Sequence, residues 1–235
     1  MAGPLVSVKN LQVAFGRRVV IHDLAFDLSA GEILAVLGPN GAGKTVLLKA
    51  LLNLVPYEGE IRWSPGARLG YVPQRTAADH WLPLTLRDLL SAKTAYLKRP
   101  ATEVAAVSSR LGFTPEILNT RIGLLSGGQF QKALIAFALL GNPNVLLFDE
   151  PTASLDELTE ERIHDLLHTL QRESGMTVIL VSHELSVVYH YASKVLCLSG
   201  ERSCMGPPKE ILTPKMLEDL YGAPPKYYRH AESHS

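Results

Sequence analysis

One stretch constrains the fold more than any other. Five apolar residues, Ile33 to Leu37, run directly into Gly38-Pro39-Asn40-Gly41-Ala42-Gly43-Lys44-Thr45, and a helix-like segment, Val46 to Leu54, follows. A continuously apolar run reads as a strand covered on both faces, as in a parallel sheet. The residues after it, Gly38 to Thr45, fit the phosphate-loop pattern in the strand–loop–helix setting that the pattern requires. Glycines let the backbone wrap closely enough to aim N–H groups at phosphate oxygens. The helix beginning at Lys44 adds the positive end of its dipole. Lys44 is placed to reach the β- and γ-phosphates of a nucleotide, and the Thr45 hydroxyl to ligate Mg²⁺.

The rest of the chain alternates in a way that continues this fold. Leu5 to Val8, Leu11 to Phe15, Val19 to Ile21 and Leu24 to Leu28 read as strands, with another pair near Glu60 to Trp63 and Arg68 to Val72. Residues 76–140 look mostly helical, with segments at Leu84 to Leu90, Thr102 to Leu111 and Gln131 to Leu140. Strands return at Val145 to Phe148, Thr177 to Val181 and Lys194 to Leu198, separated by helices at Leu158 to Ser174 and Leu185 to Tyr191. Such alternation implies a parallel sheet with right-handed crossovers. At 235 residues the chain fits one domain. The expected layout is a nucleotide-binding core over 5–75 and 141–213, a helical subdomain over 76–140, and a short helix with a fraying tail over 214–235.

Three further constellations carry chemistry. Val145 to Phe148 delivers Asp149 and Glu150 to the carboxyl edge of a strand, where ligands bind in open α/β sheets. Adjacent acids point different ways, so Asp149 is expected to hold Mg²⁺ and Glu150 to polarise an attacking water. His183 also follows a strand, and an imidazole there can hydrogen-bond a γ-phosphate. Finally, Leu125-Ser126-Gly127-Gly128-Gln129 is a glycine loop opening a helix, which is an anion cradle. One chain already has a complete phosphate cradle. A second is superfluous unless it serves the nucleotide of another copy, so two chains set head to tail would sandwich two ATP molecules.

From Val6 to about Gly222 this set resembles the ATP-binding-cassette (ABC) ATPases. The resemblance implies an α/β P-loop NTPase with a mostly parallel core sheet, an N-terminal antiparallel β-subdomain and an inserted α-helical subdomain. It implies ATP and Mg²⁺, with Thr45, Gln74 and Asp149 toward the metal and Glu150, His183 and Gln74 in catalysis. Ser126, Gly127, Gly128 and Gln129, with Asp156 of the Ser154-Leu155-Asp156 loop, would act in trans on ATP held by a second copy. Phe15 stands where the family places an aromatic that stacks on adenine, although a strand also uses Phe as core. Phe130-Gln131-Lys132 and Ala136-Phe137-Ala138 depart from relatives that carry arginines there, away from the phosphate ligands.

Composition narrows the trade. Lys plus Arg (23) balances Asp plus Glu (23), which argues against nucleic acid as a partner. Met1-Ala2-Gly3-Pro4 lacks the pattern of a secretory leader. The longest strictly apolar run, Ala133 to Leu140, is far short of the roughly 20 residues a membrane helix needs. A peripheral subunit on the cytoplasmic face of the inner membrane is therefore expected. Its partners would be a second copy in the ATP-bound state, two integral-membrane permease subunits and an extracytoplasmic substrate-binding protein. Tyr71 to Arg75, Asp79-His80-Trp81, Pro83 to Leu86 and Asp88 resemble the bacterial manganese/zinc uptake branch, as do Val195 to Leu198, Met205 to Pro208, Ile211 to Thr213 and Leu220 to Gly222. The iron-siderophore and cobalamin importers are the nearest alternative, and a soluble ABC ATPase without a permease the next. Cys197 and Cys204 suit a reducing compartment, as core residues or as a metal pair. His230 and His234 have a spacing that could grip a metal on a helix.

Overall fold

The computed structural model describes residues 3–74, 83–150, 157–182, 185–199 and 202–221. Asp156, His183, His230, His234 and Arg75 to Trp81 lie outside the described residues. In chain order the strands are β1 (Val6–Phe15), β2 (Arg18–Leu28), β3 (Ile33–Leu37), β4 (Glu58–Trp63), β5 (Leu69–Val72), β6 (Val145–Asp149), β7 (Thr177–Val181), β8 (Lys194–Ser199) and β9 (Arg202–Gly206). The helices are α1 (Lys44–Leu51), α2 (Leu86–Tyr96), α3 (Thr102–Arg110), α4 (Pro115–Leu118), α5 (Gly127–Leu139), α6 (Glu157–Ser174), α7 (Leu185–Tyr191), α8 (Pro208–Ile211) and α9 (Pro214–Tyr221).

Two compact units emerge from the contacts. One comprises Met1–Leu5, Ser29–Gly31 and Trp63–Leu180, the other Val6–Leu28, Glu32–Arg62 and Val181–Ser235. In the first unit β5, β6 and β7 are neighbours in that order. β5 and β6 run parallel, with Val72 opposite Phe148. Every residue of β6 and β7 is buried, as their unbroken apolar sequences require. The helical stretch α2 to α5 belongs to the same unit. α2 begins where Thr85 accepts a hydrogen bond from the Asp88 amide at 3.1 Å and Asp88 accepts one from Thr85 N–H at 3.1 Å. The Thr85 hydroxyl, which also donates to Asp88 Oδ2, and then the Thr85 N–H hold the Asp88 carboxyl below the usual carboxylate range.

The second unit holds a β2-β1-β4 sheet and, separately, the strands β3-β8-β9. β1 and β2 are antiparallel, joined by the tight turn between Phe15 and Arg18. Each runs unbroken where the sequence reads as two shorter strands. Asn10 (φ 48°) and Asp23 (φ 38°) take left-handed conformations within them, and the pairing register slips between Val8 and Leu11. β3 and β8 are parallel and β9 is antiparallel to β8, so a late hairpin closes this edge. Ala35, Leu37, Val188, Val195, Cys197, Leu212, Leu217 and Leu220 form the apolar core over which the C-terminal helices pack.

Candidate nucleotide site

In the second unit, β3 ends in a loop that only glycine can build. Gly43, the residue before α1, has φ 96°, and a Cβ there would sit 2.9 Å from the Val20 side chain. Lys44 opens the helix and is 6% exposed. Its ammonium donates to the carbonyls of Gly38 at 2.9 Å and Pro39 at 3.1 Å, so the lysine braces the loop it belongs to. Thr45 follows on the first turn, half-buried. At the far end of β1, Phe15 is 49% exposed, which removes the reading of it as a core residue and leaves an aromatic face open to solvent.

In the first unit, the parallel register of β5 and β6 sets two polar pairs side by side. Val72 lies opposite Phe148, so Gln74, two residues on, comes level with Glu150. Gln74 Nε2 donates to Glu150 Oε2 at 2.9 Å. Glu150 itself sits at φ 48°, a left-handed turn that swings its carboxylate off the strand direction. Asp149 is 1% exposed, and the Tyr71 hydroxyl donates to its Oδ2 at 3.3 Å. Tyr71 was not among the site residues expected from sequence, where an aromatic in a strand reads as core. Burial, then the Asp149 charge and hydrogen bond, push its phenol from 10.0 up to about 12. It therefore stays a donor to the carboxylate throughout the neutral range.

This gives a test of the carboxylate's support. Tyr71→Phe is expected to lower stability by about 1.5 kcal/mol, the low end for a hydrogen bond to a charged group, given its length. Urea unfolding at neutral pH reads the difference. The phenol's raised pKa means its contribution is intact below pH 10 and fades only as pH climbs toward about 12. An unchanged urea midpoint at pH 7 would show that the bond contributes nothing.

The glycine loop Leu125 to Gln129 also lies in the first unit. Ser126 is the N-cap of α5: its hydroxyl accepts from the Gln129 amide at 3.3 Å, and Gln129 Oε1 accepts from the Ser126 N–H at 2.9 Å. This capping box fixes the loop against its own helix. Gly127 and Gly128 are the first residues of that helix, where backbone N–H groups have no intrahelical acceptor. Helix dipole and amides together give this end of α5 a partial positive charge.

A chain that carries a glycine phosphate loop with its helix-opening lysine, and a strand that ends in a buried aspartate followed by glutamate, is a P-loop nucleotide hydrolase. The family model described as ABC transporter matches residues 21–153, from within β2 to just past Glu150. The chain belongs to that family, as one of its ATP-hydrolysing subunits. It is 37% identical over 219 residues to the zinc import ATP-binding protein ZnuC of Jannaschia sp. (strain CCS1), covering 93% of this chain and 88% of that one. Among solved structures, an ABC transporter described as of metal-chelate type, in an inward-facing conformation, superposes with TM-score 0.85 at 30% identity, over 94% of this chain and 90% of that one. The cbiO1 protein of Clostridium perfringens, part of the ABC transporter complex cbiONQ, gives TM-score 0.77 at 26% identity, over 92% and 93% of the two chains.

Proposed function

We propose that this chain energises the import of a divalent metal ion, zinc foremost, through a separate membrane permease. The observation that carries the reading is the 37% identity to a zinc import ATP-binding protein across 93% of this chain. Among the described residues no helix is long and apolar enough to cross a membrane. The chain would sit peripherally on the cytoplasmic face of the membrane, two copies on two permease subunits, with a substrate-binding protein supplying cargo from outside. A second reading, import of a chelated metal, has support from the metal-chelate type transporter at TM-score 0.85. Transport by the reconstituted complex, tested with Zn²⁺, Mn²⁺, Fe²⁺ and chelated iron, separates the two. Uptake confined to chelates would overturn the first.

In the proposed cycle Lys44 exchanges its bonds to the Gly38 and Pro39 carbonyls for phosphate oxygens, and the loop amides take the remaining charge. Phe15 offers its exposed ring to adenine. The Thr45 hydroxyl, the Gln74 amide oxygen and the Asp149 carboxylate are hard oxygen donors, a set that fits Mg²⁺. When bound, that ion would neutralise charge building on the phosphate oxygens. Glu150 orients and deprotonates water, held in place by Gln74. His183, by its sequence position, adds a hydrogen bond to the γ-phosphate. Ser126, the Gly127 and Gly128 amides and Gln129, together with Asp156 by its sequence position, close over the nucleotide of a second copy.

That geometry is tested by mixing two crippled chains. Lys44→Ala removes a charged donor and is expected to weaken ATP binding roughly 10- to 100-fold. Ser126→Arg blocks the cradle offered to the partner. If sites form between copies, a mixed dimer gathers both lesions in one site and keeps the other intact. ATP-driven dimerisation and part of the turnover should then reappear on mixing. No recovery in the mixture would overturn the arrangement.

A further inference from the structure

The chain's two cysteines face each other. Cys197 on β8 is the register partner of Cys204 on β9. Residues directly opposite on antiparallel strands have Cα atoms roughly 4.5–5.5 Å apart, inside the span of about 4.4–6.8 Å that a disulfide bridges. Both side chains lie on the same face, against the core of Leu37, Leu212, Leu217 and their neighbours. Both are free thiols, and they share a hydrogen bond. Cys197 is 2% exposed, whereas Cys204 is half-buried and within reach of a small reagent. Among the described residues no third metal-binding side chain joins them, and two ligands fall short of a zinc site.

The pair also abuts the phosphate loop. Leu37 is the parallel partner of Cys197, so Gly38 begins one residue beyond. A Cβ on Gly38 would meet the Leu198 carbonyl oxygen at 2.2 Å, which leaves no slack between the end of β8 and the loop. Tyr221, at the end of α9, shares a hydrogen bond with the Gly38 backbone and lies beside Cys197. β8 lies between β3 and β9, so the geometry at Cys197 reaches Gly38 through the parallel β3–β8 pairing and through Tyr221.

We propose that Cys197 and Cys204 are a reversible dithiol, oxidised by low-molecular-weight disulfides, and that closing the disulfide lowers the affinity of the adjoining loop for nucleotide. Cys204, as thiolate, attacks one sulfur of the small disulfide and expels the first small thiolate. Cys197 then gives up its proton and attacks the Cys204 sulfur, expelling the second. Two protein thiols are oxidised and one small disulfide is reduced to two thiols. The S–S bond, at about 2.05 Å, replaces the thiol–thiol hydrogen bond with a covalent link that re-orients the Cys197 side chain beside Tyr221, the residue bonded to the Gly38 backbone.

The test uses the full chain with oxidised glutathione. The expected product has lost the mass of two hydrogen atoms, carries no glutathione, and yields a 197–204 cross-linked peptide. Its ATP affinity, by equilibrium titration, should fall roughly 5-fold or more and return with dithiothreitol. In Cys204→Ser the buried Cys197 should resist the reagent and affinity should not change. A stable glutathione adduct on Cys204, or two thiols still titratable, would overturn the dithiol. A disulfide with unchanged ATP affinity would overturn its link to the loop. The second half of the proposal rests on Gly38 to Thr45 being the nucleotide loop. If reduced protein bound no ATP, that reading would fail, while the mass measurement would still decide the dithiol.

Discussion

Glu150→Gln is expected to abolish all but about a hundredth of ATP turnover or less, while ATP binding survives. The change removes a proton acceptor and almost nothing else. Gln74 Nε2 donates to Glu150 Oε2 at 2.9 Å, and a glutamine at 150 still presents a carbonyl oxygen to that donor. The side chain therefore keeps its place at the end of β6 while losing its basicity. General-base catalysis contributes roughly 10²–10⁴-fold, which sets the scale of the loss. With hydrolysis stopped, nucleotide-bound dimers should accumulate, readable by size exclusion with and without ATP. Turnover within a few fold of the unaltered protein would place the base elsewhere.

Gly38→Ala is expected to remove ATP binding and to cost about 3 kcal/mol of stability, the upper range for overpacking. The reason is a single contact. The added methyl would fall 2.2 Å from the Leu198 carbonyl oxygen and 3.2 Å from the Ala42 side chain. Neither is the flexible end of a long side chain that could swing away. Gly38 has φ 154°, a value that side-chain-bearing residues rarely adopt, so strain adds to the clash. Moreover Lys44 anchors to the Gly38 carbonyl, so displacing this residue misplaces the ammonium too. Thermal unfolding and ATP titration read the two effects separately. A variant that melts like the parent would show that β8 yields at this point.

Much of this was legible in the sequence because burial on both faces leaves a plain mark. β3, β6 and β7 are each five buried residues, and the apolar runs locate them nearly to the residue. Where one face meets solvent, local cues mislead. Lys9-Asn10 reads as a turn, yet β1 passes through it, because pairing with β2 holds Asn10 in a left-handed bulge. β9 carries Arg, Ser, Cys, Met and Gly, which have no strand alternation, and it is a strand only because β8 pairs with it. The site divides in the same way. Lys44 and the Asp149-Glu150 pair follow from motif and context, since their chemistry dictates local spacing. Tyr71 and Tyr221 do not, for each reaches its partner through tertiary structure. The Ser126 cap is written in the chain as Ser-x-x-Gln ahead of an apolar segment.

The capping box at Ser126 has a consequence for timing. The hydroxyl spends an acceptor lone pair on the Gln129 amide, and that bond fixes the oxygen's position while its single proton can still be given outward. A loop so tethered has already surrendered its wandering before any second copy arrives. Docking in the proposed dimer would then have little ordering left to accomplish on this surface, and its pace would be set by how often two properly turned copies meet. The same tether works in reverse. In the proposed dimer, cleavage of the nucleotide would let the copies part from a rigid face that needs no refolding, ready for the next encounter.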